Sequence, residues 1–111
     1  MLRLGAVVMR VSDVERAATF WSSALGFERQ PGNASFLLPA GVPEGTPGTR
    51  LHLDGEDRTH LDLWAEDEAD QQAQVERLIS LGARRVDWEY PADADFIVLA
   101  DPDGNLFCVI A

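Results

Sequence analysis

One short pattern of residues recurs in this chain, fifty-four positions apart, and this duplication constrains the fold more than any other feature. Ala6-Val-Val-Met-Arg-Val-Ser-Asp13 is answered by His60-Leu-Asp-Leu-Trp-Ala-Glu-Asp67, each a strand-like stretch closed by Asp. A helical pattern follows each copy and stops at Leu25-Gly26-Phe27 or Leu81-Gly82-Ala83. Short extended segments then lead to a last strand after Gly48 or Gly104. A unit of this size cannot bury its apolar face alone, so the two copies are expected to pack together, with a ligand cleft at their junction.

The periodicities within each copy agree. Residues 4–11 are mostly apolar and β-branched, as in a strand covered on both faces. Ser12 followed by Glu15 has the spacing of a capping box, and Asp13 is an alternative N-cap. Val14, Ala17, Ala18, Trp21, Ala24 and Leu25 then fall on one helical face, and Gly26 supplies a left-handed end. In the second copy Asp67 caps, Val75, Leu78 and Ile79 form the stripe, and Gly82 ends the helix. Further strands are expected at Phe27–Gln30, Ser35–Pro39, Arg50–Asp54, Thr59–Ala65, Arg84–Trp88, Phe96–Leu99 and Leu106–Ile110, the last after a turn at Asp101-Pro-Asp-Gly104. Residues 40–48, with three Gly and two Pro, read as a surface loop or a flap over the cleft. The expected fold class is α+β, two tandem βαβββ modules over residues 1–56 and 57–111 of one domain.

Composition excludes several function classes. A chain of 111 residues, 46% hydrophobic and with no long apolar run, makes one domain without a membrane span. The formal charge of −10 repels phosphate backbones and anionic membrane surfaces, so no nucleic-acid partner is expected. The single Cys108 forms no internal disulfide, and the N-terminus lacks the features of a secretory signal; a cytoplasmic location is expected.

Phe20-Trp-Ser-Ser-Ala-Leu-Gly-Phe27, Leu81-Gly-Ala83 and Asp101-Pro-Asp-Gly-Asn-Leu-Phe107 resemble, in order and spacing, landmarks of the vicinal-oxygen-chelate superfamily. This group includes glyoxalase I, extradiol dioxygenases such as the dihydroxybiphenyl enzymes, and the fosfomycin and bleomycin resistance proteins. Within it the chain resembles the small glyoxalase-like proteins. The resemblance implies two βαβββ modules whose mixed sheet curls into an open cup, with the helices outside and a small molecule held inside. Members commonly pair, which implies a homodimer.

Metal-dependent members of that superfamily place ligands on the first and last strand of each module. The repeat locates these places here at Ala6, His52, His60 and Cys108. Glyoxalase I-like sites carry His or Gln and Glu there, so this chain departs from that pattern. His52, His60 and Cys108 would suit a zinc ion with one open position. Against that, unpaired cysteines are mostly small buried hydrophobes, and a thiolate on the strand Leu106-Phe-Cys-Val-Ile110 is costly without a cation beside it. The expectation is a degenerate site without metal or other cofactor.

Alternation along the strands sorts the remaining candidates. If His60 faces the cup, so do Asp62 and Trp64, while Leu61 and Leu63 face a helix. The same parity selects Arg10 on the first strand, Arg50, His52 and Asp54 on the fourth, and Cys108 on the last. Arg10 and Arg50 either hold a carboxylate or phosphonate of a ligand or pair with Asp62 and Asp54. Trp21 is expected in the core, Trp88 in the core or on a dimer surface, and Tyr90-Pro91 at the cleft rim. Two readings follow: a small-molecule-binding protein of the resistance type, or a glyoxalase-type lyase or isomerase in which His60, with His52 and Cys108 on a metal, polarises vicinal oxygens.

Overall fold

The computed structural model describes residues 2–43 and 48–111. Residues 44–47 of the expected flap over 40–48 fall outside these described residues. Contacts divide the chain into two compact units, Gly5–Thr59 and His60–Ala111, the latter joined by the N-terminal residues up to Leu4. Strands β1 (Arg3–Arg10), β2 (Phe27–Gln30), β3 (Asn33–Pro39) and β4 (Arg50–Asp54) with helix α1 (Val14–Leu25) make the first set of elements. The second comprises β5 (His60–Trp64), α2 (Glu68–Ser80), β6 (Arg84–Arg85), β7 (Phe96–Ala100) and β8 (Leu106–Ile110). The α+β class and the order βαβββ, twice, are as the sequence indicates.

The duplication extends to strand pairing. In each set the first strand pairs parallel with the last, and the remaining two follow antiparallel, giving β1-β4-β3-β2 and β5-β8-β7-β6. The register repeats as well. Val8 pairs with His52, which pairs with Phe36; correspondingly Asp62 pairs with Cys108, which pairs with Val98. Ala6 and His60 thus lie on the first strands of their sets, each two residues before the member of its matched row.

Alternation then decides which face each helix covers. In the first unit α1 packs over Leu37, Leu51 and Leu53, with Ala18 at the centre and Val7, Met9, Val11, Val14, Ala17, Trp21 and Phe27 around them. Trp21 is therefore half-buried against the core as expected. The apolar stripe ends there, for Leu25 is half exposed and Phe20 more so. In the second unit Val75, Leu99 and Val109 are fully buried, flanked by Leu78, Ile79, Ile97, Phe107, Ala65 and Leu2. Burying a side chain of this size contributes about 1.5–3 kcal/mol, so these two clusters carry much of each unit's stability.

Local chemistry sets the helix ends. Asp13, not Ser12, caps α1, its carboxylate accepting from the Arg16 amide at 3.0 Å. Glu15 forms no capping box because the Arg29 guanidinium takes both its oxygens, at 3.0 and 2.7 Å. Asp67 caps α2 through the Asp70 amide. Gly82 follows α2 with φ +114°, and a Cβ there would meet Pro102 at 3.3 Å.

One strand is shorter than expected. Arg84–Trp88 contracts to Arg84–Arg85, and Trp88 lies outside any strand, 38% exposed rather than in the core. The cause is local: beyond the Arg85–Leu99 pair, the Val98 amide donates to the Tyr90 hydroxyl at 2.8 Å instead of to a neighbouring backbone. The Tyr90 ring leans on Phe96, so Tyr90 supports the outer margin of β7.

Candidate functional site

The helix-free side of the second unit's strands brings three unlike donors together. His60 and Asp62 stand two residues apart on β5 and therefore on one face, and Cys108 is the register partner of Asp62 on β8. Ligand atoms of all three lie within 4.8 Å of one another. His60 Nε2 is 3.1 Å from Asp62 Oδ1, with the two side chains only 8% and 14% exposed. At that distance a protonated Nε2 can donate to the carboxylate, which would fix the ring's orientation.

Apolar neighbours raise the worth of these polar contacts. Val98, the other register partner of Cys108, and Ala100, on the same face of β7, are both buried. Water is thereby kept from one side of the cluster, which strengthens electrostatic contacts made there. An imidazole, a carboxylate and a thiol can together bind a divalent ion, or can offer a donor and an acceptor to an organic ligand.

Trp64 continues the row along β5. Arg3 stacks its guanidinium over the Trp64 ring at 5.3 Å, and these two with Ala65 and Glu66 line a shallow recess. Sequence reading placed Trp64 on this face but missed Arg3, because nothing local ties residue 3 to residue 64.

In the first unit His52 and Arg50 occupy the face of β4 opposite the buried Leu51 and Leu53. His52 stacks on Phe36 with ring centres 4.1 Å apart and planes 9° from parallel. Arg50 donates to the Gly48 carbonyl at 3.5 Å. Asp54 holds the turn after β4, its carboxylate accepting from the Glu56 and Asp57 amides. Arg10 is exposed, and its backbone amide donates to the Thr59 hydroxyl.

The group that could hold an ion also contains a carboxylate, Asp62, beside His60 and Cys108. It was legible as a cup residue by parity, but the family pattern directs attention only to the first residue of the strand. Leu61, expected beneath a helix, is 44% exposed, because α2 rests over β7 and β8 and does not reach it. No helix among the described residues is long and apolar enough to cross a membrane.

Comparison with known proteins agrees with this architecture. Among solved structures the chain is similar to one titled an NAD-dependent benzaldehyde dehydrogenase from Legionella pneumophila, with TM-score 0.65, 15% identity, and coverage of 95% of this chain and 96% of that one. At that identity the likeness speaks for the fold alone. A glyoxalase-related enzyme from Fulvimarina pelagi matches with TM-score 0.42 and 16% identity over 97% of this chain and 86% of that one. A glyoxalase/bleomycin resistance protein from Albidiferax ferrireducens T118 matches with TM-score 0.40 and 21% identity over 96% and 95%. No curated protein matches. The glyoxalase-like domain family matches residues 6–110, nearly the full length, and the chain belongs to that family, of the vicinal-oxygen-chelate type.

Proposed function

We propose that this protein binds a small organic molecule bearing oxygen donors, through the polar row of its second unit. The observation that carries the reading is the convergence of the mostly buried His60 and Asp62 with Cys108, whose neighbour across the ladder is the buried Val98. A few convergent polar groups against apolar walls are what small-molecule sites are built from. Trp64 extends the row with a flat surface for stacking, and His60, oriented by Asp62, donates to or accepts from a ligand oxygen. Arg10, Arg50 and His52 are the contacts proposed for the first unit, the two guanidinium groups suited to an acidic substituent.

The test is a ligand screen by nuclear magnetic resonance on chelator-treated protein, using small carboxylates, hydroxyketones and catechols. Binding that shifts the His60 ring signals and is lost in His60→Ala supports the reading. Binding that persists in His60→Ala and Asp62→Asn would place the ligand elsewhere. The same experiments need the assembly state; a homodimer is proposed, with a light-scattering mass twice the 12.2 kDa of the chain.

A second reading, a glyoxalase-type lyase or isomerase, is favoured by the same three donors. A divalent ion held there would supply Lewis-acid polarisation of a substrate oxygen. His60, Asp62 and Cys108 would be its ligands, and the apolar flank formed by Val98 and Ala100 would exclude water from the reacting atoms.

A further inference from the structure

We propose that the recess beside Trp64 takes the carboxylate of a small aromatic acid, with the Arg3 guanidinium as the group that anchors and selects it. The inference deepens the ligand-binding reading, on which it rests for the role of Trp64 as a ligand surface, and adds to it a ligand class and a residue.

The state of Arg3 gives the first argument. Its guanidinium carbon lies 5.3 Å from the centre of the Trp64 ring, and among the described residues it enters no ion pair. This is so in a chain where acidic residues outnumber basic ones nineteen to nine. Attraction to a ring face uses the charge of the cation and spends none of its N–H donors. Those donors form the planar fork that matches a carboxylate edge to edge.

The walls of the recess give the second. Arg3, Trp64, Ala65 and Glu66 line a volume of about 290 Å³, at the lower end of small-molecule pockets. The Ala65 amide donates to the Ile110 carbonyl at 2.8 Å, and the Glu66 amide to the Asp70 carboxylate at 2.9 Å. On the other side Leu2 packs with Val75, Leu99 and Val109, which holds the chain next to Arg3. The backbone around the recess is thus set before a ligand arrives, and only the Arg3 side chain has to turn.

Charge gives the third, and it sets the selectivity. Glu66 shares the recess, and Asp67 and Glu68 follow it at the start of α2. One guanidinium offsets a single negative charge there, whereas a doubly charged phosphate ester meets repulsion that nothing offsets. A neutral amide has a similar shape but gives the fork no charged acceptor. An aromatic monocarboxylate satisfies both conditions, with its ring against Trp64 and Ala65.

The experiment titrates the whole chain with benzoate, phenyl phosphate and benzamide. Nuclear magnetic resonance follows the Arg3 side-chain N–H, the Trp64 indole N–H and the His60 ring. Benzoate is expected to shift the Arg3 and Trp64 signals together and to bind about 10-fold more tightly than either analogue. Arg3→Gln should weaken benzoate binding by about 10-fold or more, and Arg3→Lys should recover only part of that loss, because an ammonium lacks the fork. Arg3 is exposed, so both variants should keep the fold, and unchanged spectra away from the recess check this. Benzoate at millimolar concentration that leaves the Arg3 and Trp64 signals in place overturns the proposal. So does equal affinity of Arg3→Gln and the parent, or binding of phenyl phosphate or benzamide as tight as that of benzoate. His60→Ala separates this idea from the wider reading. Arg3 and Trp64 shifts that persist in that variant uphold the recess and remove His60 from the ligand; a His60 shift without them upholds the polar row and overturns the recess.

Discussion

Asp62 and Cys108 face one another across the parallel β5–β8 ladder as register partners, and His60 stands beside Asp62 at 3.1 Å. A carboxylate, a thiol and an imidazole are thus set by backbone pairing rather than by loops. Substitutions on this row should change chemistry more than stability, and those on the opposite face the reverse.

That contrast can be measured. Leu99 is fully buried among Val75 and Val109, so Leu99→Ala should lower unfolding free energy by about 2–5 kcal/mol. His60→Ala should cost less than Leu99→Ala, and Leu63→Ala, at a half-buried position, should also fall below it. Urea denaturation of the three variants would rank them. A His60→Ala loss equal to that of Leu99→Ala would assign His60 to the core.

Gln71 is a buried polar residue on α2, and its side-chain amide donates to the Val109 carbonyl at 2.8 Å and the Asp95 carbonyl at 3.0 Å. It ties the helix to the strand that carries Cys108. Gln71→Leu removes the donor and leaves these carbonyls without it, which should cost about 1–3 kcal/mol despite the more apolar side chain. Equal midpoints for the two proteins in urea would show that the bond contributes nothing net.

Acid sensitivity should arise partly at the turn before β8. The Asp101 carboxyl is held below its ordinary value of 3.8, chiefly by the Asn105 side-chain amide and then by the Asn105 backbone amide. A depressed carboxylate stabilises the fold above the unfolded-state value, and that contribution is lost as pH falls through the folded-state value. Asp101→Ala should therefore be less stable than the parent near neutral pH, with the gap narrowing below about pH 4. A gap independent of pH would mean that the turn is held by its backbone alone.

Gly82 tests the other turn against the same region. Its φ of +114° disfavours any side chain, and a Cβ would press on Pro102 at 3.3 Å. Gly82→Ala should cost about 1–3 kcal/mol, readable as a lower thermal midpoint. An unchanged midpoint would show that the end of α2 relaxes freely.

Much of this architecture was legible because duplication and alternation are physical periods written into side chains. His60, Asp62 and Trp64 share a face for the same reason that Val8 and Ala6 do, and Gly26 ends a helix because it readily adopts φ 67°. What escaped depended on distance in sequence. Alternation marks Leu61 as helix-facing but cannot say where the footprint of α2 stops. The segment Arg84–Trp88 was expected to be a strand throughout, yet the Tyr90 hydroxyl takes the Val98 amide that would have continued the ladder. Within the site, parity chose Asp62 and the repeat chose His60 and Cys108, while only the β5–β8 register put the three side by side.

The Tyr90 contact also bears on how the β6 margin is kept from open-ended edge pairing. An unpaired outer strand offers a row of amides and carbonyls on which a second chain can nucleate a continuous sheet. Here the terminal strand β6 is two residues long, and past it the Val98 amide is already taken by a phenol. A stranger's backbone approaching that margin finds an aromatic ring where it needs a donor. Tyr90→Phe would keep the ring and unmask the amide, turning a guarded border into a place where copies can join.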